Sequence, residues 1–210
     1  MRLTLTTFIT LDGVVQAPGG PDEDTSGAFA HGGWVVPYLD DDMGQAMNAF
    51  FAEAEAFLLG RRTYEIFAAS WPKMADPNDP VATSLNTLPK HVASRTLREV
   101  SWEGSTLLVG DLVTEVAELK RRPGRELQIH GSGGMAQTLI RHGLIDEYRL
   151  LTYPVVLGTG KRLFGEGAKP SALEHMDHKS TSTGGSIDVY TTAGEPTYGA
   201  VGPEYESAEG

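Results

Sequence analysis

The 210-residue sequence predicts an α/β domain whose mostly parallel sheet is covered on both faces by helices. Three observations carry this. Strand-like and helix-like segments alternate along the chain. The run from Tyr148 to Val156 is almost continuously apolar, as suits a strand buried on both faces. A hydrophobic fraction of 40% is enough to fill one sizeable core.

Leu3, Leu5, Phe8 and Ile9 suggest an opening strand, ended by the turn signal Asp12-Gly13. Residues 16–40, rich in Gly, Pro and Asp, read as a long loop, and loops of that length are usually functional or mobile. Asp40, Asp41 and Asp42 then load the positive end of a helix on which Met43, Met47, Phe50, Phe51 and Ala54 recur at helical spacing. The apolar run Ala56-Phe57-Leu58-Leu59 stops at Gly60, and Arg61 begins a second helix carrying Tyr64 and Phe67. Residues 70–90, with Pro72, Pro77, Pro80 and Pro89, read as loop.

Strands follow at His91–Ser94 and Thr106–Val109. Gly110-Asp111 caps a helix showing Leu112, Val116 and Leu119, which ends in Lys120-Arg121-Arg122 before Pro123-Gly124. The strand Glu126 to His130 enters a glycine turn, and a helix with Met135, Leu139 and Ile140 leaves it, with Gly143 just past its end. After the Tyr148–Val156 strand, segments near Leu173 and at Ile187 to Thr191 have the character of an antiparallel edge. Residues 1–194 thus read as one domain and 195–210 as a loose polar tail; no internal repeat is found.

Composition narrows the function. A net charge of −11 and a pI near 4.9 disfavour nucleic acid and anionic membranes as partners, because a phosphate surface needs a basic stripe. The absence of cysteine excludes disulfides, thiolate metal sites and a cysteine nucleophile. The alternating N-terminus does not resemble a signal peptide, and no stretch approaches 18 apolar residues, so a cytoplasmic location is expected. His175 and His178 have no third ligand at motif spacing and read as a surface pair, so no metal site is expected. Gly158-Thr159-Gly160-Lys161-Arg162 lacks the spacing of a P-loop, and neither H-E-x-x-H nor G-x-S-x-G occurs.

Ligands of parallel sheets sit beyond the carboxyl ends of the strands, and three junctions there hold suitable chemistry. Gly131-Ser132-Gly133-Gly134 lets backbone approach an anion at a helix start, or is simply a tight turn. It satisfies G-x-G-x-x-G/A through Ala136, yet no acid follows at the spacing of a Rossmann ribose ligand. Gly60-Arg61-Arg62-Thr63 offers donors at a second helix start, or two solvated arginines. Ser94-Arg95-Thr96 flanks a guanidinium with hydroxyls, which suits a phosphate monoester such as the 2′-phosphate of NADP. Asp12 could hold polar groups of a substrate or serve only its turn, and Trp34 could cover a flat ring or anchor its loop.

Taken in order, Thr10-Leu11-Asp12-Gly13, Gly32-Gly33-Trp34, Leu59-Gly60-Arg61-Arg62-Thr63-Tyr64-Glu65, Val92-Ala93-Ser94-Arg95-Thr96, Ile129-His130-Gly131-Ser132-Gly133-Gly134, Gly143-Leu144-Ile145-Asp146-Glu147 and Pro154 to Gly160 resemble the dihydrofolate reductase-like family. Within it they are most similar to the reductase domain at the C-terminus of bifunctional riboflavin-biosynthesis proteins and its stand-alone relatives. The resemblance implies a three-layer fold with a central, mostly parallel sheet of about eight strands and an antiparallel C-terminal edge. It implies NADPH as cofactor, its pyrophosphate held by Gly60, Arg61 and Thr63 and by Gly131, Ser132, Gly133 and Gly134. Ser94, Arg95 and Thr96 would read the 2′-phosphate, and Asp12 and Trp34 would line the substrate pocket; no catalytic residue is assigned. The expected function is NADPH-dependent reduction of a small heterocyclic or carbonyl substrate, as a homodimer by analogy. The rivals are a nucleotide- or flavin-binding module of the same fold without catalysis, and a structural homologue with no nucleotide site.

Two departures bear on the substrate. Trp34-Val35-Val36-Pro37-Tyr38-Leu39-Asp40 puts the acid one residue later than the pterin-gripping carboxylate of folate-reducing members. Val14 follows Asp12-Gly13 where riboflavin-pathway members typically carry Lys.

Overall fold

The opening strand β1 (Arg2–Thr10) is buried along almost its whole length, as a strand with neighbours on both edges and cover on both faces must be. The computed structural model describes residues 1–74 and 76–201, and in it β1 lies inside an eight-stranded sheet. The other strands are β2 (Ala54–Gly60), β3 (Lys90–Ala93), β4 (Ser105–Leu108), β5 (Glu126–His130), β6 (Glu147–Tyr153), β7 (Leu173–Ser180) and β8 (Ser186–Thr192). Their order is β4-β3-β2-β5-β1-β6-β8-β7. The first six run parallel, and β8 and β7 form the antiparallel edge.

Helices α1 (Asp41–Ala52), α2 (Arg61–Ser70) and α3 (Pro80–Thr87) cover one face, where Phe51, Tyr64 and Leu85 pack on Phe57, Leu59 and Val92. On the other face α4 (Leu112–Arg121) and α5 (Gly133–Arg141) bring Val116, Leu119, Leu139 and Ile140 onto Leu3, Leu5, Leu58 and Ile129. Among the described residues no helix is long and apolar enough to cross a membrane.

The elements fall where the sequence places them, within one or two residues at most ends, with one correction. Residues 70–90, expected as loop, contain α3. Asp79 caps it by accepting from the N–H groups of Val81 and Ala82, and Pro80 takes the first helical position, where its missing N–H costs nothing. The prolines that read as breakers include one that starts a helix. The tail expected over 195–210 lies, from residue 202 onward, outside the described residues.

The centre of the sheet is polar on the α1 side. Residues paired across neighbouring strands share a face. The pairings Thr4↔Gln128, Thr6↔His130, Thr4↔Glu147 and Thr6↔Arg149 therefore assemble a strip of polar side chains from β5, β1 and β6. Arg149, within the run that reads as apolar, is buried and pairs through Nε with Glu147 and through Nη2 with Glu126, each at 2.7 Å. Phe50 of α1 lies over its guanidinium, 4.5 Å from the ring centre. Gln128 links Glu126 to Phe50 and to His130 through bonds of 2.7, 2.6 and 3.0 Å. Arg149 Nη1 and the hydroxyls of Thr4 and Thr6 find no partner among the described residues.

Candidate functional site

The site begins where the sheet splits. The β2–β5 ladder ends at Phe57↔Gln128 and β5 stops at His130, while β1 runs on to Thr10. A cleft of about 1230 Å³ opens over this gap. Its rim is built by the two junctions at which β2 enters α2 and β5 enters α5, Gly60–Thr63 and His130–Met135. Val35, Val36 and Leu39 of the long loop with Met43, Met47 and Phe51 of α1 give it an apolar wall.

The helix starts differ in a way that marks the site. α1, α3 and α4 each begin on an aspartate, Asp40, Asp79 and Asp111, whose carboxylate accepts from N–H groups of the first turn. α2 and α5 have no side-chain cap. Gly60 has no side chain, and the Ser132 hydroxyl is turned away from its own helix. Ser132 Oγ accepts from the Gly60 N–H at 3.0 Å and donates to Thr63 Oγ1 at 3.0 Å, tying the two junctions together. This orientation requires the left-handed backbone of Gly131 (φ 64°) and Ser132 (φ 54°), a conformation that costs a non-glycine residue about 1 kcal/mol or more. Two helix N-termini with uncapped N–H groups thus meet at one cleft, an arrangement that attracts an anion with two adjacent charges.

The long loop is latched beside them. Asp24 pairs with both Arg62 of α2 and Lys161, the latter at 2.7 Å, and Gln16 holds the Lys161 N–H at 3.0 Å and the carbonyls of Asp24 and Ser26 at 2.9 Å. Arg61 pairs with Glu65 on the surface of α2 at 3.3 Å. Glu23, also on the cleft, has its carboxyl pushed above the ordinary range by burial, against the opposing pull of the Gly19 and Gly20 N–H groups.

Gly60, Arg61, Thr63, Gly131, Ser132, Gly133 and Gly134 are therefore gathered at one cleft. Ser94, Arg95 and Thr96 lie outside its lining, just past the end of β3, where Ala93 pairs with Gly60. Ser94 Oγ accepts from the N–H groups of Thr96 and Leu97 at 3.1 and 2.9 Å, holding this turn as a neighbour of the α2 junction. Asp12 and Trp34 are not brought to the lining. The Asp12 carboxylate accepts from Thr10 Oγ1 and from the N–H groups of Leu157 and Gly158, at 2.6 to 3.2 Å, and pairs with Arg162. The Thr10 bond leads these contacts in holding its pKa far below the ordinary carboxylate range. Trp34 is buried, its indole N–H donated to the Gln16 carbonyl at 2.9 Å, so it supports the loop that forms the wall. Asp40 is held by the Met43 and Thr183 N–H groups and the Ser182 and Thr183 hydroxyls, so its carboxylate serves the start of α1 and the β7–β8 turn.

His130, of the polar strip, also lines the cleft. It is buried, stacked on Phe51 at 4.3 Å, and burial with the nearby Arg149 charge pushes its pKa down from 6.5 to about 3. The folded protein therefore keeps His130 neutral while the unfolded chain protonates it below pH 6.5. Stability then falls on acidification across that window, by at most about 1.4 kcal/mol per pH unit for one group. His91, also lowered by burial, adds to the same trend. Urea denaturation at pH 6.5 and 5 should show a loss larger by about 1.7 kcal/mol in the wild type than in His130→Gln; equal losses would show that His130 does not drive the trend.

Comparison with known proteins gives the family and the fold. The model of the RibD C-terminal domain family matches residues 2–187. The chain is 29% identical over 192 residues to the uncharacterized protein YyaP of Bacillus subtilis (strain 168), covering 90% of this chain and 94% of that one. Among solved structures it is similar to a protein assigned to riboflavin biosynthesis in Shewanella sp. PV-4, with TM-score 0.66, 21% identity and coverage of 92% and 99% of the two chains. A pyrimidine reductase-like protein of Corynebacterium diphtheriae matches with TM-score 0.58, 12% identity and coverage of 91% and 92%. Dihydrofolate reductase of Enterococcus faecalis, complexed with NADP(H), matches with TM-score 0.58, 14% identity and coverage of 91% and 96%. These likenesses establish the dihydrofolate reductase-like fold. The match over almost the whole sheet places the chain in a family: it belongs to the RibD C-terminal domain family.

Proposed function

We propose that the protein is an NADPH-dependent reductase of a small heterocyclic or carbonyl substrate. The observation that carries this reading is the pair of uncapped helix N-termini, of α2 and α5, facing one cleft and joined by Ser132. A pyrophosphate is the dianionic group that such a pair fits, and glycine at 131, 133 and 134 lets it approach the backbone. Arg95, flanked by Ser94 and Thr96 just past the end of β3, would read a 2′-phosphate. The apolar wall of Val35, Val36, Leu39, Met43 and Met47 suits flat rings. The cofactor would supply the hydride; this chain binds it, orients it and keeps water from the wall side.

NADPH consumption measured across pterins, aminopyrimidines and quinones tests the activity. Turnover of a member of the panel supports the reductase; NADPH binding with no turnover on any of them favours a binding module without catalysis. Arg95→Ala is expected to weaken NADPH by about tenfold or more, the worth of a charge-assisted bond, and to leave NADH almost unchanged. Equal losses for both cofactors in calorimetric titration would overturn the 2′-phosphate assignment.

A further inference from the structure

Far from the cleft, the antiparallel edge carries a second cluster. β7 is exposed along its whole length, and its pairing with β8 is interrupted: His175 faces Tyr190, Asp177 faces Val189 and His178 faces Asp188. Met176 is thus an extra residue with no opposite number. In a regular strand residues three apart point to opposite faces. The bulge restores the parity, so His175 and His178 emerge on the face that holds Asp188 and Tyr190. His178 Nδ1 lies 2.8 Å and His175 Nε2 3.2 Å from the same carboxylate oxygen, Asp188 Oδ1, and one donor atom of each residue lies within 4.8 Å of the others. The third group, which no spacing along β7 could reveal, comes from the neighbouring strand.

Each of the three is also oriented from behind. His178 Nε2 is 3.3 Å from Ser180 Oγ, Asp188 Oδ2 accepts from Ser186 Oγ at 2.7 Å, and the His175 ring lies against Tyr190 at 4.9 Å between centroids. Outer contacts of this kind fix the tautomer and the direction of metal-ligating side chains. We propose that His175, His178 and Asp188 bind one divalent transition-metal ion through two imidazole nitrogens and one carboxylate oxygen, with a further position open to water. Imidazole with carboxylate suits Zn²⁺, Co²⁺, Ni²⁺ or Cu²⁺, whereas Mg²⁺ and Ca²⁺ take sets of oxygens. Ligands about 2.1 Å from a tetrahedral ion stand about 3.4 Å apart, close to the spacing each ring already has from the carboxylate. Both rings are about half exposed, at 47% and 49%, so an ion reaches them directly from solvent. Bound there, it joins β7 to β8 at the point where the bulge interrupts their ladder.

Full-length protein, stripped with a chelator and titrated with ZnCl₂ against a chromophoric competitor, is expected to bind one equivalent. Asp188→Asn and His178→Ala should each weaken binding by about tenfold or more, and His142→Ala, on exposed α5-end surface, should not change it. Because Asp188 also bonds across the hairpin, a second measurement uses the unaltered protein. Substoichiometric Ni²⁺ should broaden the imidazole NMR signals of His175 and His178 before those of His31, His91, His130 and His142. Equal Zn²⁺ affinity in the wild type and both ligand variants, or uniform broadening across all six histidines, would overturn the proposal.

Discussion

Gly134→Asp is expected to raise the melting temperature and, in the same molecule, to lower NADPH affinity by at least about tenfold. Gly134 is the second residue of α5, and a Cβ built there meets nothing within 4 Å, so the substitution fits without strain. An aspartate in the first turn favours the helix by about 0.3–1 kcal/mol through its dipole. Loss of glycine's backbone freedom adds about 0.5–1 kcal/mol. For a chain of this size that corresponds to roughly 2–8 °C. The same carboxylate would stand where the pyrophosphate is proposed to lie. Two like charges about 4 Å apart at an effective dielectric of 20 repel by about 4 kcal/mol, which outweighs the tighter helix and is enough for two or more decades of affinity. Differential scanning fluorimetry and calorimetric titration read the two effects separately. A variant that is stabilised and binds NADPH as the wild type does would remove the phosphate from α5.

Arg149→Met is expected to destabilise the fold by about 3–5 kcal/mol, the cost of breaking a buried ion pair. Arg149 is buried between Glu126 and Glu147, and both carboxylates lose a 2.7 Å partner when it goes. Arg2 still reaches both from the edge of the strip, so the acids are not wholly unpaired. Burial alone would raise the Glu126 pKa, but its bonds from Arg149, Arg2 and Gln128 outweigh that and hold it below the ordinary value. The stability this group contributes is present above its unfolded pKa of about 4.5 and is lost as pH falls through the lower, folded value. Arg149→Met should therefore also blunt the acid end of the stability profile. Equilibrium denaturation with a loss under about 1 kcal/mol would mean that Phe50 and methionine packing replace the ion pair.

The sequence made the order of elements legible because most boundaries carry local chemistry: Asp111 caps α4 and Gly143 ends α5 in the left-handed region. α3 is hidden in the sequence because proline density outweighs the Asp79-Pro80 start signal. The glycine junctions were legible as separate anion sites. Their union was not, since the Ser132 hydroxyl that joins them spans 69 residues to Thr63. Asp12 and Trp34 look like pocket residues in sequence because both sit in loops, yet backbone N–H groups and a carbonyl engage their polar atoms. Arg149 was hidden for the opposite reason: one charge inside an apolar strand leaves no periodic signature, and its partners come from β5 and from two residues away. The His175–His178–Asp188 group depends on a bulge, which shifts side-chain parity in a way no alternation pattern records.

If α2 and α5 jointly hold a dinucleotide pyrophosphate, an NADPH titration followed by backbone amide NMR should show the largest shifts at Arg61 to Thr63 and Gly131 to Gly134 together, saturating at one equivalent. Shifts confined to one junction, or located elsewhere in the sheet, would contradict it.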